Sequence, residues 1–486
     1  MELMIPLDSH SGMPYYEQIY EYIREEIKKG NLKSPTRLPS TRLLAEHLKV
    51  SRSTTQMAYE QLLSEGYIES VPCKGYFVSR IEELVDTGQE NGGESPFFGM
   101  YPWEVPGDSQ PAAAGEGEYR VDFSPRGVDL DSFPFNTWRK ITKITLVDDN
   151  KEMFATGDPQ GEPAFREAIR GYLHSARGVN CTAEQIVVGA GTEYLLMLLS
   201  RILGPDHTIA MENPTYKQAY RVFESLGYPV VPVEMDGSGL ETSLLEGSGA
   251  DIAYVMPSHQ YPTGIVMPVK RRQELLSWAC KKEGRYLIED DYDSELRLGG
   301  KPFPTLQSID VSDKVIYMNT FTKTLASTVR ISYMVLPQTL AEKFYRELSF
   351  YSCTVSNFEQ YTLAEFIENG SFEKHINRLR NYYQNKRDLI LQALEKKPLG
   401  DYVTIEEEEA GVHFLMHLCT DQKEEKIVTQ AKSRGVKLKP LSGYYADTAE
   451  AAKQENTYVM NYSSIDPAAM ERAAGVLLHI LQIPGR

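Results

Sequence analysis

An acidic segment without cations divides this chain of 486 residues into two parts of different character. Residues 81–118 contain nine Asp or Glu, seven Gly and four Pro, but no Lys or Arg. A segment of this composition cannot bury enough apolar surface to fold by itself, so we predict an acidic flexible linker there. The chain is therefore predicted to consist of a small module over residues 1–80, the linker, and a large domain over residues 119–486.

The small module has a balanced charge, whereas the whole chain carries a net charge of −17. Residues 1–80 hold ten basic and ten acidic side chains, but residues 28–52 hold seven basic side chains and one acidic one. A local cationic excess on an acidic chain is typical of a module that binds an anionic partner such as nucleic acid. A bare run of charge also fits an ordinary solvated surface.

Cysteine usage and hydropathy exclude several classes of protein. The five cysteines include no CxxC pair, so the sequence predicts neither a disulfide framework nor a zinc or other metal site. The longest apolar run, residues 194–199, is far shorter than the ~18 residues of a membrane-spanning helix. The N-terminus has no apolar signal segment, so we expect a cytoplasmic protein without a membrane partner.

The small module shows the pattern of three helices followed by a β-hairpin. Residues 14–30 carry apolar side chains at helical spacing. A second helix is predicted after Ser40 as N-cap, with Leu43 buried, and a third after Ser51, with Met57 facing inward. The string YIESVPCKGYFV then indicates two strands joined by a turn. These elements in this order predict a winged helix-turn-helix.

The first turn of the third helix carries the side chains that read DNA. The N-terminal end of a recognition helix enters the major groove, where Arg bonds guanine, Gln pairs with adenine, and Ser or Thr reach phosphates or bases. A helix cap followed by a solvated face is the alternative interpretation. Together with the basic stretch and the wing, the pattern favours a double-stranded DNA operator as partner. The residues of this turn are Ser51, Arg52, Ser53, Thr54 and Gln56.

The string LPSTRLLAEHLKVSRSTTQMAYEQLLSEGYI, followed by CKGYFV, resembles the GntR family of DNA-binding regulators. This resemblance implies that Arg42 contacts phosphate and that residues 51–54 read bases and backbone. It also implies that Lys74 and Gly75, at the tip of the wing, approach the minor groove. The full set of predicted DNA contacts is Arg37, Ser40, Arg42, Ser51, Arg52, Ser53, Thr54, Gln56, Lys74 and Gly75.

After residue 119, short strand-like runs alternate with helical patterns. The runs are IVVGAG, TIAM, DIAYVMP, RYLIEDD and KVIYMN, and helical stretches such as ELLSWACKKE lie between them. This alternation predicts a mainly parallel α/β sheet.

One of these runs leads into a polar loop with a distinctive set of side chains. In KVIYMNTFTKTLASTVRISYMV, a strand is followed by Thr320, Thr322, Lys323 and Arg330. Hydroxyls and an Arg suit a phosphate group, and a Lys beside a phosphate site is what a Schiff base with pyridoxal 5'-phosphate requires. A lone Lys is usually a surface residue, but this one directly follows a strand and has hydroxyls on both sides. We therefore predict that Lys323 carries the cofactor.

A pyridoxal phosphate site also needs an acid at the pyridine nitrogen, and the string RYLIEDDYDSELR supplies it. Asp290 ends a hydrophobic strand, and alternation puts Tyr292 on the same face, where it reaches the phenolic oxygen of the cofactor. A solvated acidic loop is the alternative for this run on its own. Asp291 and Asp293 are expected to make ordinary surface or capping contacts.

Three further strings, GAGTEYLL, ENPTYKQAY and PSHQYPTG, complete the predicted cofactor site. The first opens a helix whose N-terminal N–H groups bind phosphate. The second supplies an aromatic side chain for stacking on the pyridine ring, and the third is a strand-end loop near that ring. The predicted contacts are Gly189, Gly191, Thr192 and Glu193 for the phosphate, Tyr216 for stacking, and His259, Gln260 and Tyr261 near the ring.

Taken in order, the strings of both halves resemble the MocR/GabR subfamily of GntR-type regulators. That resemblance implies a winged helix-turn-helix joined by a linker to a domain like the fold-type I aminotransferases. It implies the same roles for Lys323, Asp290, Tyr292 and Tyr216, and a phosphate cup that includes Arg330. It also implies a head-to-tail homodimer and a small-molecule effector, which is an amine, an amino acid or pyridoxal phosphate itself.

Three positions depart from the pattern of the relatives. Thr156 stands where aminotransferases of this fold often carry a Tyr that reaches the phosphate of the neighbouring subunit. Gln218 stands where GABA-responsive members carry an Arg. No Lys or Arg lies between Lys453 and Arg472, where many relatives clamp a substrate carboxylate. We therefore expect that the effector is not a simple α-amino acid held by a C-terminal Arg. Gln218 or Asn461 could bind a carboxylate only through neutral hydrogen bonds, and Arg297 is a candidate for an acidic group recognised elsewhere.

Two other functions remain open from the sequence. An active aminotransferase with an accessory DNA-binding module is favoured by the Lys323–Asp290–Tyr292 set. A DNA-binding protein whose large domain has lost its cofactor and serves only for dimerisation is the second alternative.

Overall fold

The computed structural model describes two ranges of the chain. These are residues 3–79, except 4, 9, 10, 12, 72 and 73, and residues 121–482, except 125–127, 148–150, 299–303, 410, 447–450, 452 and 453. The chain divides into two compact units, Met1–Pro111 and Ala112–Arg486. The predicted linker lies outside the described residues. Across the described ranges, every helix is too short or too polar to span a bilayer.

The small unit contains three helices and one antiparallel strand pair. The elements are α1 (Tyr15–Lys28), α2 (Thr41–Leu48), α3 (Arg52–Ser64), β1 (Ile68–Val71) and β2 (Gly75–Val78). The Ser40 hydroxyl accepts a hydrogen bond from the backbone N–H of Leu43 at 3.2 Å, and Ser51 accepts one from Thr54 at 3.1 Å. The predicted N-cap Ser40 is therefore confirmed, and Ser51 caps α3 in the same way, because each hydroxyl satisfies a backbone donor that the first helical turn leaves free.

The inward faces of α2 and α3 differ from the prediction at two positions. Leu43 is 46% exposed and Met57 is 49% exposed, so both expectations of burial are wrong. In α3 the buried face runs through Thr55, Ala58, Tyr59 and Leu62, at helical spacing, and this stripe leaves residue 57 on the outside.

The large unit is built on a sheet of eight strands. They are β4 (Ile186–Gly189), β5 (Ile209–Asn213), β6 (Val230–Asp236), β7 (Gly239–Leu240), β8 (Ile252–Val255), β9 (Tyr286–Asp290), β10 (Val315–Thr320) and β11 (Ser332–Val335). Their order across the sheet is β4-β11-β10-β9-β8-β5-β6-β7. Neighbours from β10 to β6 run parallel, whereas β11 is antiparallel to both β10 and β4, and β7 is antiparallel to β6. The predicted α/β sheet is confirmed.

Helices cover both faces of this sheet. They are α4 (Phe135–Val147), α5 (Pro163–Arg177), α6 (Thr192–Leu203), α7 (Lys217–Ser225), α8 (Thr242–Gly247), α9 (Val269–Cys280), α10 (Gln338–Leu348), α11 (Asn357–Glu368), α12 (Ser371–Glu395), α13 (Glu424–Ser433) and α14 (Met470–Ile480). Along β4, Ile186 and Val188 belong to one hydrophobic core and Val187 to a second one. Residues on either face of a strand are therefore buried, as is usual in parallel sheets.

Two smaller sheets complete the large unit. Their strands are β3 (Val121–Asp122), β12 (Val403–Glu406), β13 (His413–Leu418), β14 (Val436–Lys437) and β15 (Thr457–Asn461). β12, β13 and β15 form an antiparallel sheet, and β14 pairs in parallel with β3. The start of β13 and the end of β15 lie side by side, because His413 is the register partner of Asn461.

Candidate functional site

A cavity of about 210 Å³ lies where the main sheet meets the antiparallel sheet. β9 and β10 run parallel and end at Asp290 and Thr320, and the carboxyl ends of parallel strands meet at one edge of a sheet. Register places Thr320 beside Ser332 of β11, and Ser332 beside Gly189 of β4. The lining residues are Gly191, Thr192, Glu193, Tyr216, Met256, Tyr261, Asp290, Tyr292, Asp293, Thr320, Thr322, Lys323, Arg330, Val412, His413 and Asn461.

Lys323, the predicted attachment residue, ends a single 3₁₀ turn, Phe321–Lys323, directly after β10. Burial lowers the pKa of its amine, while the carboxylates of Asp293 and Asp290 act in the opposite direction. A lowered pKa increases the neutral fraction of the amine, which is the nucleophilic form.

Asp290 lies in the same cavity and is held by a tyrosine of the neighbouring strand. It is buried, and the Tyr254 hydroxyl donates a hydrogen bond to its Oδ2 atom. Burial raises the pKa of Asp290 to about 7; the Tyr254 hydrogen bond lowers it, and the nearby Asp291 and Asp293 raise it. The carboxyl group is therefore fixed in position by Tyr254. With a pKa of about 7 it is only partly ionised near neutral pH, and a pyridine nitrogen could pair with it there.

The phosphate end of the cavity is assembled from three segments. Thr320 donates a hydrogen bond to the Thr322 hydroxyl at 2.9 Å, and the Arg330 guanidinium pairs with Glu193 at 3.1 Å. Gly191 precedes α6 and has a φ of +98°, and a Cβ placed there would lie 2.5 Å from Arg330 Nη2. Only glycine therefore lets the guanidinium approach the N-terminus of α6 this closely. Hydroxyls, a guanidinium and a helix N-terminus are groups that could together hold a dianionic phosphate.

Aromatic side chains form the walls around the ring position. Tyr216 directly precedes α7, and its ring meets that of Tyr261 edge to face with centroids 5.9 Å apart. The Tyr261 hydroxyl bonds that of Tyr444 at 2.9 Å, and the Tyr292 hydroxyl bonds Nδ1 of His259 at 3.2 Å. Asp290 and Tyr292, which were predicted to lie on the same face of the chain, both line the cavity.

His259 and Gln260 lie behind the cavity wall and do not belong to its lining. Gln260 is used within its own loop: its amide donates to the Pro214 carbonyl at 2.9 Å, and its carbonyl accepts from the Thr263 hydroxyl at 2.6 Å. His259 contacts the lining through Tyr292, through Asp293 and through His413, whose ring centroid lies 4.5 Å from its own. The structure therefore places His259 and Gln260 behind the lining residues, which they support, and not at the cofactor position that was predicted for them.

Asp291 and Asp293 are not surface residues, and that expectation is wrong. Asp291 is buried, accepts hydrogen bonds from Arg177 at 3.0 and 3.1 Å, and accepts another from the Tyr317 hydroxyl at 2.7 Å. Asp293 is also buried and pairs with Nδ1 of His259 at 2.9 Å. The far face of β9 is covered by helices, so a charged residue there needs a buried partner of opposite charge.

Three residues of the site were missed from the sequence: Tyr254, Asp293 and His413. Tyr254 contacts Asp290 because β8 lies beside β9 in the sheet. The order of the strands cannot be read from either strand's own sequence. His413 enters from a different sheet. The potential ligand atoms of His259, Asp293 and His413 all lie within 4.8 Å of one another, and all three side chains are buried. A Tyr in an otherwise aliphatic strand, DIAYVMP, was the one available signal.

In the small unit, most of the predicted DNA contacts are accessible to solvent. Arg37, Arg42 and Arg52 are exposed, and within the described residues none of the three forms an ion pair. The Thr55 hydroxyl donates to the Thr41 carbonyl at 2.8 Å and so fixes α3 against α2. Gly75 has a φ of +104°, and a Cβ there would lie 3.6 Å from Arg37 Nε. Lys74 and Ser53 are exposed as well, and Gln56 donates to Glu60 at 2.9 Å.

Known proteins match both units. Residues 128–475 match the family of class I and II aminotransferases, and residues 15–78 match bacterial regulatory proteins of the gntR family. The uncharacterized HTH-type transcriptional regulator YdeL of Bacillus subtilis (strain 168) is 38% identical over 446 residues, which cover 92% of this chain and 93% of that protein. The probable rhizopine catabolism regulatory protein MocR of Rhizobium meliloti is 34% identical over 477 residues, which cover 98% and 95%. The crystal structure of a multiple substrate aminotransferase from Thermococcus profundus is similar with a TM-score of 0.66 and 25% identity, covering 76% of this chain and 92% of that one.

A helix-turn-helix unit and an aminotransferase-like unit in one chain define a class of two-part transcriptional regulators. The chain belongs to the MocR/GabR subfamily of GntR-type regulators. It is an HTH-type transcriptional regulator whose large unit has the fold of the pyridoxal-phosphate-dependent aminotransferases. The resemblance drawn from the sequence strings is confirmed.

Proposed function

We propose that the large unit binds pyridoxal 5'-phosphate through Lys323 and that a small amine in the same cavity controls operator binding by the small unit. One observation carries this proposal: the half-buried amine of Lys323 lines the same cavity as a buried acid, Asp290, and a set of groups suited to phosphate. Residues 81–118 act in this proposal as the linker between the two units.

The donor set fits the cofactor. Thr320, Thr322, Arg330 and the N-terminus of α6 would hold the phosphate, and the close approach of Arg330 to Gly191 provides the cradle. Asp290 would hold the pyridine nitrogen. When bound, the cofactor supplies an electrophilic carbon that captures primary amines and a ring that accepts electrons.

The side chains around the cavity each have a defined task in this proposal. Tyr254 holds the Asp290 carboxyl in place, and the lowered pKa of Lys323 keeps part of its amine neutral. Tyr216 covers the ring position from one side. An amine that occupies the cavity changes the partners of Lys323, and DNA affinity responds only if the amine binds two states of the chain with different affinity.

A working aminotransferase is the second candidate, because the Lys323–Asp290 pair is intact. Such an enzyme needs a cation for the substrate carboxylate. Among the described lining residues the cations are Lys323 and Arg330, and Arg330 is committed to the phosphate end. Regulation is therefore the better-supported function. Steady-state turnover with pairs of amino donors and keto acids separates the two.

Replacing the attachment residue tests the proposal. We expect Lys323→Ala in the full-length protein to abolish the visible absorbance band of bound pyridoxal phosphate and the label fixed by borohydride reduction, because the covalent link needs this amine. Lys374→Ala, an exposed position on α12, is the matched control and should keep both signals. Covalent label that persists in Lys323→Ala, located by peptide mass spectrometry at another lysine, would contradict the assignment.

A further inference from the structure

The wall of the cavity formed by Asp293, His413 and Asn461, here called the acceptor wall, differs in chemistry from the phosphate end. Asp293 is 2% exposed and carries a carboxylate. The Asn461 side-chain carbonyl accepts from the Ser463 hydroxyl at 2.7 Å and is held in place by it. With its oxygen used by Ser463, Asn461 has its amide N–H2 left as a donor, whereas Asp293 contributes carboxylate oxygens. The carboxylate makes the acceptor wall suited to a ligand that donates hydrogen bonds.

His413 adds a ring nitrogen that can accept a hydrogen bond but receives none from the described residues. Burial holds the pKa of the His413 ring well below its usual range, and the charges of His259 and Lys323 act in the same direction. The ring is therefore neutral, and it hydrogen-bonds the backbone of Pro262. Its Nε2 atom is buried and has no partner among the described residues. A buried lone pair without a donor costs free energy, which a donor group on a ligand would recover.

Of the cations near the cavity, Lys323 acts on both Asp293 and His413, but it is assigned to the cofactor. Arg330 pairs with Glu193 at the phosphate end. Arg297, the residue expected to take an acidic group, lines a separate small pocket together with Asp293 and His259 and is absent from the cavity lining. A carboxylate placed at the acceptor wall would meet the like charge of Asp293, whereas an ammonium or a hydroxyl would meet acceptors.

We infer that the effector is a primary amine whose second polar group is an ammonium or a hydroxyl, recognised by Asp293 and His413, and is not a carboxylate. This inference rests on the proposed function, because the primary amine reacts at the cofactor while the second group binds the acceptor wall. It assigns the chemical class of the signal and accounts for the missing Arg between Lys453 and Arg472.

A matched set of ligands tests the inference on the unmodified, cofactor-loaded chain. The probes 1,4-diaminobutane, 4-aminobutan-1-ol, 4-aminobutanoate and butylamine share a four-carbon chain with an amine at one end and differ at the fourth carbon; 5-aminopentanoate matches the number of methylenes, and the three-carbon series repeats the comparison. The measurement is the ligand concentration that half-shifts the visible cofactor band. We expect the diamine or the amino alcohol to act at a concentration about tenfold or more below that of the amino acid and of the alkylamine.

Each outcome of the titration either supports or overturns the inferred chemical class of the effector. An amino acid that matches or exceeds the diamine and the amino alcohol overturns the inference, and so does an alkylamine as potent as both. A normal cofactor band that no probe in either series shifts overturns it too. If the chain shows neither a cofactor band nor a borohydride label, the proposed function itself is wrong. This result can be told apart from the others because it appears before any probe is added.

Two variants locate the recognition at the acceptor wall. Asp293→Asn should reduce the preference for the diamine over butylamine by about tenfold, since it removes a charge-assisted bond. Glu373→Gln, an exposed acid on α12, is the control and should leave that preference unchanged. If Asp293→Asn does not fold, His413→Phe keeps a ring but removes the acceptor, and it should weaken the diamine and the amino alcohol without affecting butylamine. An unchanged preference in a folded variant places recognition elsewhere and overturns the assignment.

Discussion

Several carboxyl groups are buried in the large unit, and burial raises the pKa of four of them: Glu212, Glu289, Asp290 and Glu295. Burial raises the pKa of Glu212 to about 8, and it raises the pKa of Asp290 and of Glu295 to about 7. Asp290 is the one that faces Lys323 across the cavity. Because the Asp290 carboxyl is difficult to ionise without a cationic partner, we expect the stability of the cofactor-free protein to depend on pH.

This burial predicts how stability depends on pH in the cofactor-free protein. The folded chain keeps protons that the unfolded chain releases above about pH 4, so the free energy of unfolding falls as pH rises towards 7 to 8. Each such group contributes a slope of at most about 1.4 kcal/mol per pH unit. Asp290→Asn should therefore make the slope between pH 5 and 7 shallower.

Tryptophan fluorescence during urea unfolding measures this effect in the large unit, because Trp138 and Trp278 lie there and residues 1–80 contain no Trp. Glu373→Gln, which removes an exposed acid, should keep the slope of the unmodified protein. Equal slopes for Asp290→Asn and the unmodified chain would contradict the raised pKa.

At the level of elements, the sequence predicted what lies within one strand or helix and missed what depends on neighbours. The ends of β9 and β10 were predictable because each hydrophobic run gives way to two polar residues, Glu289 and Asp290 in β9 and Asn319 and Thr320 in β10. Burial of Asp291 was not predictable, because it requires that helices cover the far face of β9. The contact from Tyr254 to Asp290 and the entry of His413 depend on strand order and on a second sheet, which local patterns do not encode.

The helix α3 carries a prediction about DNA recognition. Arg52→Ala, at the first residue of α3, should cost ~1–3 kcal/mol on the operator and relax specificity at one base pair, because the guanidinium bonds a base edge. Arg42→Ala on α2 should weaken all sequences about equally and flatten the salt dependence, as expected for a phosphate contact.

Fluorescence anisotropy with operator and random duplexes at several salt concentrations measures both effects. Ser64→Ala, at the opposite end of the same helix, is the control and should bind like the unmodified chain. If both arginine variants lose affinity equally on operator and random DNA, α3 is not the recognition helix.

At the scale of the whole molecule, the large unit leaves several big apolar side chains in water. Phe154 is 81% exposed and Phe350 is 75% exposed, and α4 exposes Phe135 to 59%. Large apolar side chains that are exposed on a single chain are candidates for surfaces of protein association. We propose that they lie in the interface of the homodimer that the family resemblance implied.

Charges placed on this surface should separate the subunits. We expect the double variant Phe154→Glu with Phe350→Glu to sediment as a monomer at concentrations where the unmodified chain is a dimer, since burial of the two carboxylates is unfavourable. Val311→Glu, at a loop residue that is 98% exposed, should leave the dimer intact. A double variant that still sediments as a dimer would move the interface elsewhere.

The position of β11 has a consequence for the order in which the chain matures. This strand lies between β10 and β4, yet it is synthesised after both, and its register partner for Val335 is Ile186, near the start of the sheet. The groups proposed for the phosphate, Gly191, Thr320 and Arg330, come together only around that late strand. A nascent chain that has not yet reached residue 335 therefore has no complete phosphate pocket, and loading with the cofactor marks a chain whose sheet has closed.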